Sequence, residues 1–145
     1  MAELAQSWRF WALLSACFAG LTAILAKVGV AGVDSDAATL VRTVVILCLT
    51  AAIVFCTGQM QGLAAIPGRS ALFLVLSGLA TGASWLCYFR ALSLGDAARV
   101  APIDKLGVVL VAVFGVLFLG ERLSVANWFG VALIAAGAAL VAYRA

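Results

Sequence analysis

The stretch VAPIDKLGVVLVAVFGVLFLG, residues 100–120, decides the fold of this chain. Between Lys105 and Gly120 no residue is polar or charged. A run that is continuously apolar, without alternation, is typical of a membrane helix and not of a strand in a membrane barrel. Together with the turn before it, the run reaches the roughly 20 residues that a helix needs to cross a bilayer core of about 30 Å. We therefore predict a transmembrane helix over residues 98–119.

Four further runs of the same kind surround this one. The composition agrees with membrane residence, because 66% of the residues are hydrophobic and 10% are charged, whereas a soluble domain carries about 25% charged residues. Short polar breaks such as GVDSD (32–36) and GERLS (120–124) separate the runs and supply N-cap residues, and Ser70 is placed to cap the third helix. The sequence predicts an all-α integral membrane protein that forms one domain over residues 1–145. Its five helices are expected over residues 8–30, 37–57, 70–91, 98–119 and 124–143.

Several classes of function lack the residues they require. The basic residues are scattered singly between apolar runs, which argues against nucleic-acid binding. There is no histidine, and the four cysteines include no C-x-x-C pair, so we expect no metal site. The chain also lacks a P-loop for ATP and a G-x-S-x-G nucleophile motif. We therefore expect neither an enzyme nor a bound cofactor.

Five ionisable residues fall toward one face of the membrane in this topology. The end of the first run shares a face with the start of the second, and the end of the third with the start of the fourth. Residues six or seven positions into a helix lie about 8–10 Å from its start. This face is net basic, so it either attracts an anionic group or lipid headgroups, or is simply the cytoplasmic side. The five residues are Lys27, Arg42, Arg90, Asp104 and Lys105.

Asp104 is the member of this group that most needs a partner. An ionised side chain at the bilayer centre costs about 2.5–3.5 kcal/mol on insertion scales, and an aspartate is too short to reach the interface as lysine and arginine do. Lys105 points about 100° away around a helix, so Lys27, Arg42 or Arg90 is the better expected partner. Two interpretations stay open: an ion pair that locks helix packing, and a site for substrate or for a coupling proton.

A polar stripe runs along the predicted third helix. Ser77, Thr81, Ser84 and Tyr88 follow the spacing of one helix face. Such hydroxyl groups either line a cavity or form hydrogen bonds between helices. Both interpretations place the stripe against another part of a helix bundle.

Small and aromatic residues accompany this stripe. Gly78 and Gly82 form a G-x-x-x-G motif, which predicts close packing of a neighbouring helix. Trp85 either stacks on a ligand or anchors the helix at the membrane interface. Pro102 removes one backbone hydrogen bond, so it bends or begins the fourth helix and frees carbonyl groups for a cavity. The candidate residues for substrate binding or coupling are Lys27, Arg42, Ser84, Trp85, Tyr88, Arg90, Asp104 and Lys105.

The segment YFRALSLGDAARVAPIDKLGVVLVAVFGVLFLGERLS, residues 88–124, resembles the signature of the EamA family in the drug/metabolite transporter superfamily. The pattern joins a helix end, a Val-x-Pro motif and a closing Leu-Gly-Glu. The resemblance continues through the last helix and upstream through WALLSACFAGLTAILAKVGV and VRTVVIL, as in the short five-helix bacterial and archaeal branch. The matching residues are Tyr88, Ala91, Leu92, Gly95, Val100, Pro102, Leu119, Gly120, Glu121, Gly130, Leu133 and Gly137.

This resemblance implies one five-helix unit, equivalent to half of a ten-helix transporter. In ten-helix relatives two such units are inverted and the substrate cavity lies between them, which is a general transporter plan. The implied assembly is a homodimer, with its two copies antiparallel, in a bacterial or archaeal cytoplasmic membrane. Arg9, Arg69 and Arg122 lie on the N-terminal side of the membrane, and Arg99 and Arg144 on the other. So weak a bias is what dual topology requires.

We therefore expect a secondary transporter of a small organic metabolite or drug-like solute, working by alternating access and coupled to protons through Asp104. Two alternatives remain. One is a flippase for a lipid-linked carrier, or a subunit of one, in which the basic face meets a phosphate headgroup. The other is a membrane scaffold without transport activity. The expected partners are membrane lipids, a small-molecule substrate and a second copy of the chain, with no nucleic acid.

Overall fold

The computed structural model describes residues 6–143, and these contain seven helices and no strand. Four of the helices, and the stretch Ala97–Leu119 that two others share, are long and apolar enough to cross a membrane. The prediction of an all-α protein with five spans is confirmed. Arg144 of the charge argument lies outside the described residues. The helices are α1 (Trp8–Gly29), α2 (Ser35–Cys56), α3 (Met60–Ala64), α4 (Gly68–Leu94), α5 (Ala97–Asp104), α6 (Gly107–Leu119) and α7 (Val125–Ala142).

Polar side chains fix where two of the spans begin. The Asp34 carboxylate accepts hydrogen bonds from the backbone N–H groups of Asp36 at 3.0 Å and Ala37 at 3.1 Å, which satisfies two donors at the start of α2. At α7 the Ser124 hydroxyl accepts from the N–H of Asn127 at 3.2 Å. Both caps stand in the polar breaks where the sequence predicts them.

The start of α4 differs from the prediction. Ser70 was expected as the cap, but α4 already begins at Gly68 and Ser70 lies in its first turn. The carbonyl oxygen of Pro67 accepts from the N–H of Ala71 at 2.9 Å. Proline is favourable here because its fixed φ suits a helix start and its missing N–H has no partner to lose. The helix therefore starts at Gly68, nearly one turn earlier than a cap at Ser70 predicts.

The predicted continuous helix over 98–119 is wrong in one respect, because the chain turns at residues 105–106. Pro102 lies inside α5 and has no N–H to donate to the preceding turn. Leu106 donates to the carbonyl oxygen of Ile103 at 3.0 Å, a tighter i−3 bond, before α6 resumes at Gly107. Proline and glycine, the two weakest helix formers, thus flank the interruption of a single membrane span.

The helices form two compact units. Residues 28–93 make one unit, which holds α2, α3 and α4. Of the described residues, 6–27 and 94–143 make the other unit, in which α7 contacts both α5 and α6. The prediction of one domain over residues 1–145 stays a prediction.

Few side chains of residues 6–143 are buried within the chain itself. The buried set has five apolar and two polar members, and most large apolar side chains are exposed. So much exposed apolar surface is incompatible with water and indicates contact with lipid or with further protein. The buried side chains are Ala23, Val30, Ser35, Thr39, Phe89, Leu92 and Ala138.

Gly120 ends α6 in a conformation that favours glycine. Its φ is 69°, and the next residue, Glu121, donates its N–H to the carbonyl oxygen of Gly115 at 3.1 Å. A left-handed residue after the last turn is a common way for a helix to end. Gly120 is therefore the C-cap of α6.

We expect Gly120→Ala to lower the free energy of unfolding by about 1–2 kcal/mol, because a Cβ disfavours the left-handed conformation. The matched control is Gly130→Ala, inside α7, where an added Cβ meets no atom within 4 Å. This control is expected to be neutral or slightly stabilising, since alanine is the better helix former. Thermal unfolding of the purified variants in detergent measures both. Equal melting temperatures for the two variants would contradict this account of the cap.

Candidate functional site

Arg42 lies on the buried face of α2. Ser35 and Thr39 are buried, and Arg42 follows them at the spacing of one helix face. The Thr39 hydroxyl donates to the carbonyl oxygen of Ser35 at 2.8 Å, and Thr43 donates to that of Thr39 at 2.8 Å, so these polar groups are satisfied inside their own helix. At 1.5 Å per residue, Arg42 stands about 10 Å along the axis from the start of α2. Arg42 is half-buried and lies about two turns into a helix that is long and apolar enough to cross a membrane.

The facing side chains belong to α4. Trp85, Phe89 and Leu92 share one face of this helix, and Phe89 and Leu92 are buried. The guanidinium carbon of Arg42 lies 4.2 Å from the centroid of the Trp85 ring and 5.4 Å from that of Phe89. A cation over an aromatic face contributes about 0.5–2 kcal/mol, and more where water is excluded. We call Arg42, Trp85, Tyr88 and Phe89 the arginine–aromatic cluster.

Tyr88 and Phe89 complete the arginine–aromatic cluster. Tyr88 is half-buried, and its ring meets that of Phe89 edge-on at 6.4 Å between centroids. Phe89 is not among the predicted candidates, although its spacing of four from Trp85 places both on one helix face. The structure thus unites three of the predicted residues, Arg42, Trp85 and Tyr88, and adds a fourth.

Three members of the predicted polar stripe lie beside this face, and the fourth, Tyr88, belongs to the arginine–aromatic cluster. Ser77, Thr81 and Ser84 are exposed, and the Thr81 hydroxyl donates to the carbonyl oxygen of Ser77 at 2.9 Å within α4. The Thr81 hydroxyl is therefore satisfied within its own helix, and the two interpretations of the stripe stay predictions. Arg90, another candidate, is also exposed on α4.

The G-x-x-x-G motif has no close neighbour in the chain. A Cβ built on Gly78 or Gly82 meets no atom within 4 Å among the described residues. The buried face of α4 runs through Trp85, Phe89 and Leu92, a different side of the helix. Close packing of another helix against Gly78 and Gly82 stays a prediction.

Asp104 forms its ion pair with its neighbour in sequence. The Lys105 ammonium lies 3.3 Å from the Asp104 carboxylate, and both side chains are exposed. The expectation that Lys105 points away from Asp104 is wrong. That expectation assumed a continuous helix, but α5 ends at Asp104 and Lys105 lies in the turn. The long lysine stem can then bring its ammonium back to the carboxylate.

Lys27, a candidate partner for Asp104, bonds to the backbone. Its ammonium donates to the carbonyl oxygen of Gly95 at 2.8 Å, in a half-buried position. Gly95 lies in the turn between α4 and α5. This bond gives Lys27 a structural role within the unit that holds α1 and α5–α7.

Glu121 folds back against the last turns of α6 and contacts Gly115. A Cβ on the buried Gly115 would stand 2.6 Å from a Glu121 carboxylate oxygen, so the carboxylate lies directly against that glycine. The Glu121 N–H also donates to the Gly115 carbonyl oxygen. The carboxylate contact requires a small residue at position 115, which explains why the Leu-Gly-Glu motif is preceded by a glycine about one turn earlier. Gly120 and Glu121 are structural in this arrangement.

An open apolar cavity lies at the other end of α2. It has a volume of about 480 Å³ and is lined by residues of α2, α3 and the turns beside α3. Gln59 is its polar side chain, so it offers an apolar surface and no charge to a ligand. The lining residues are Val54, Gln59, Gly62, Leu63 and Ile66.

The comparisons with known proteins agree with this architecture. The sequence model of the EamA-like transporter family matches residues 6–143. A protein of Sinorhizobium sp named "Uncharacterized transporter in cobO 3'region" is 72% identical over 139 residues, which are 96% of this chain and 99% of that protein. No solved structure matches the chain at a significant level.

Proposed function

The chain belongs to the EamA-like transporter family, and we propose that it is a secondary transporter of a small organic solute in a bacterial or archaeal cytoplasmic membrane. It is a multi-pass membrane protein with five spans. The observation that carries the proposal is Arg42, a half-buried cation stacked on Trp85 inside the membrane-spanning helix α2. Ionisable residues at such depth are expensive, and they mark substrate or ion pathways in membrane proteins.

We further propose that the transport path is formed by two copies of the chain in opposite orientations. Inverted repeats with a binding site near the midplane are a recurrent transporter plan. The named relative from Sinorhizobium is matched over 99% of its length, so that protein has about the same length as this chain. The small number of side chains buried within residues 6–143 agrees with a unit that packs against a second copy.

Release of solutes from proteoliposomes tests the transport function. Vesicles are loaded with a low-molecular-mass extract of bacterial cells, and the solutes that leave them are identified by mass spectrometry. We expect one chemical class to leave vesicles that contain the protein and to stay in protein-free vesicles. If no class is released above the protein-free level, with or without a pH gradient, the chain is not a transporter and a scaffold role takes its place.

We propose Asp104 as the carboxylate that couples transport to protons. Asp104→Asn is expected to abolish accumulation driven by a pH gradient while downhill release continues, because the amide cannot exchange a proton at the same site. Asp96→Asn is the matched control, since Asp96 is an exposed aspartate directly before α5. Uptake of the identified solute under an imposed pH gradient measures both variants.

Two results would contradict the coupling role of Asp104. Unchanged gradient-driven uptake in Asp104→Asn would remove the residue from the mechanism. Failure of this variant to accumulate as folded protein, while Asp96→Asn accumulates normally, would assign Asp104 to a pair with Lys105 that holds the turn between α5 and α6.

A further inference from the structure

Arg42 carries a positive charge that no acidic side chain of its own unit offsets. Residues 28–93 contain two carboxylates, Asp34 and Asp36. Asp34 accepts from two backbone N–H groups at the start of α2, and Asp36 accepts from the Ser35 hydroxyl at 3.4 Å. Both precede Arg42 by six to eight residues, or about 9–12 Å along the helix axis. Neither carboxylate lies within ion-pair distance of the guanidinium.

The stacked geometry leaves the donors of Arg42 available. A guanidinium is a plane with five N–H donors around its edge. The guanidinium carbon of Arg42 lies over the Trp85 ring, 4.2 Å from its centroid, and a guanidinium stacked on an aromatic face keeps the N–H donors at its edge available. Among residues 6–143, Arg42 has ring contacts with Trp85 and Phe89 and an electrostatic interaction with Tyr88, and no hydrogen bond from its guanidinium is observed. The guanidinium thus lies beside an aromatic surface, and its N–H donors are available to a ligand.

We propose that the arginine–aromatic cluster binds the oxyanion of a small organic acid, a carboxylate or a phosphate, between the edge of Arg42 and the exposed part of Trp85. The proposal rests on the proposed function insofar as the bound acid is the transported solute. Planar carboxylate and phosphate groups match the guanidinium fork with two parallel charge-assisted hydrogen bonds. A bound oxyanion also neutralises a cation that is costly inside a membrane.

The same cluster disfavours cationic solutes. The aromatic faces of Trp85 and Phe89 are the groups that attract a ligand cation, and Arg42 already occupies them. A second cation here would meet a like charge at close range in a medium of low dielectric. The depth of the cluster, about 10 Å from the start of α2, favours a free solute over the headgroup of a lipid at the interface.

Binding to the cluster can be measured without transport. Trp8, Trp11 and Trp128 are replaced by phenylalanine, which leaves Trp85 as the fluorescent reporter, and the protein is placed in phosphatidylcholine nanodiscs. Benzoate is the probe, and benzamide is its uncharged match in shape. We expect saturable quenching of Trp85 by benzoate and an affinity for benzamide that is lower by about tenfold or more, as for loss of hydrogen bonds to a charged group.

Three variants connect the response to Arg42. Arg42→Gln is expected to weaken benzoate binding by about tenfold to a hundredfold. Arg42→Lys keeps the charge but loses the planar fork, so an intermediate affinity is expected. It also remains informative if the glutamine variant fails to fold. Arg69→Gln, at the exposed start of α4, is the control and should bind benzoate as the unchanged protein does.

The lipid composition distinguishes the sources of the oxyanion. Benzoate quenching that is equal in phosphatidylcholine and phosphatidylglycerol discs assigns the cluster to a free organic acid. Quenching that disappears in phosphatidylglycerol discs, and returns in phosphatidylcholine, assigns the oxyanion to a lipid headgroup at the same cluster. The proposal is overturned if benzamide binds as well as benzoate, or if Arg42→Gln binds benzoate normally. It is also overturned if benzoate, phenyl phosphate and phosphatidylglycerol all fail to change Trp85 fluorescence.

These outcomes separate the two proposals. Solute release from proteoliposomes without any Arg42-dependent response to oxyanions leaves the transport function standing and rejects the oxyanion site. An Arg42-dependent benzoate response without solute release supports the oxyanion site and rejects transport.

Discussion

Arg42→Gln is expected to lower the rate of solute release from proteoliposomes by about tenfold or more, which corresponds to the loss of about 1.5–3 kcal/mol from a hydrogen bond to a charged group. The variant should accumulate in membranes and elute in detergent as the unchanged protein does. Removing a charge from a membrane helix lowers the cost of inserting it. The glutamine side chain also retains polar atoms beside Trp85. The loss therefore falls on solute binding and not on folding.

Two companion variants sharpen this prediction. Arg42→Lys should retain part of the transport, because lysine keeps the charge but not the flat stacking surface or the paired donors. Arg69→Gln removes an exposed arginine from the first turn of α4 and should leave transport unchanged. Normal release by Arg42→Gln, in vesicles that contain equal amounts of protein, would remove the arginine–aromatic cluster from the transport path.

Leu92→Ala is expected to cause the largest loss of stability. Leu92 is 0% exposed and is the largest fully buried side chain among residues 6–143. Truncation of a buried leucine leaves a cavity and costs about 2–5 kcal/mol. In a membrane the lost van der Waals contacts are the main part of this cost, because lipid tails are as apolar as leucine.

Leu94 provides the matched control for this loss. It ends α4 two residues later and is 76% exposed. Leu94→Ala removes the same atoms from a surface position and should change stability by no more than about 0.5 kcal/mol. Resistance to unfolding in detergent and SDS mixtures compares the two variants. Equal losses in both would show that the contact around Leu92 does not hold α4 in place.

The spans could be predicted because the bilayer itself fixes their length. A helix must place about 20 apolar residues in a core of about 30 Å, and the observed spans follow the predicted ones to within a few residues at most ends. The errors occur where individual residues determine the ends or the continuity of a helix. The helix α4 begins at Gly68, directly after Pro67 and before the predicted cap Ser70. The weak helix formers Pro102 and Gly107 flank the interruption of the fourth span.

The contacts of the candidate site were less accessible to sequence reasoning. Arg42 was found by its charge at membrane depth, but its choice of partner depends on the register between α2 and α4, which the sequence does not display. In water the apolar face of a helix points to the core, whereas in lipid both faces are apolar and that signal is lost. For this reason the sequence predicted the polar stripe as the contact face of α4, whereas the buried face is the neighbouring one that carries Trp85, Phe89 and Leu92.

The partner of Asp104 was also not predictable from the sequence. Because neighbouring side chains in a helix point about 100° apart, the sequence favoured partners on other helices over Lys105. Because the helix ends at Asp104, that angle does not apply to Lys105, and the 3.3 Å pair forms between adjacent residues. The Asp104→Asn and Asp96→Asn variants distinguish an Asp104 carboxylate that only pairs with Lys105 from one that also binds the proposed coupling proton.

We propose that two copies of the chain, in opposite orientations, form one transport path. Single cysteines at Ala31, between α1 and α2, and at Gln61, between α2 and α4, report the two sides of the membrane. They are introduced into a background without Cys17, Cys48, Cys56 and Cys87 and labelled on intact cells with an impermeant maleimide. An inverted homodimer predicts labelling of about half of the molecules at each position. Complete labelling at one position and none at the other would contradict the claim, because all copies would then share one orientation.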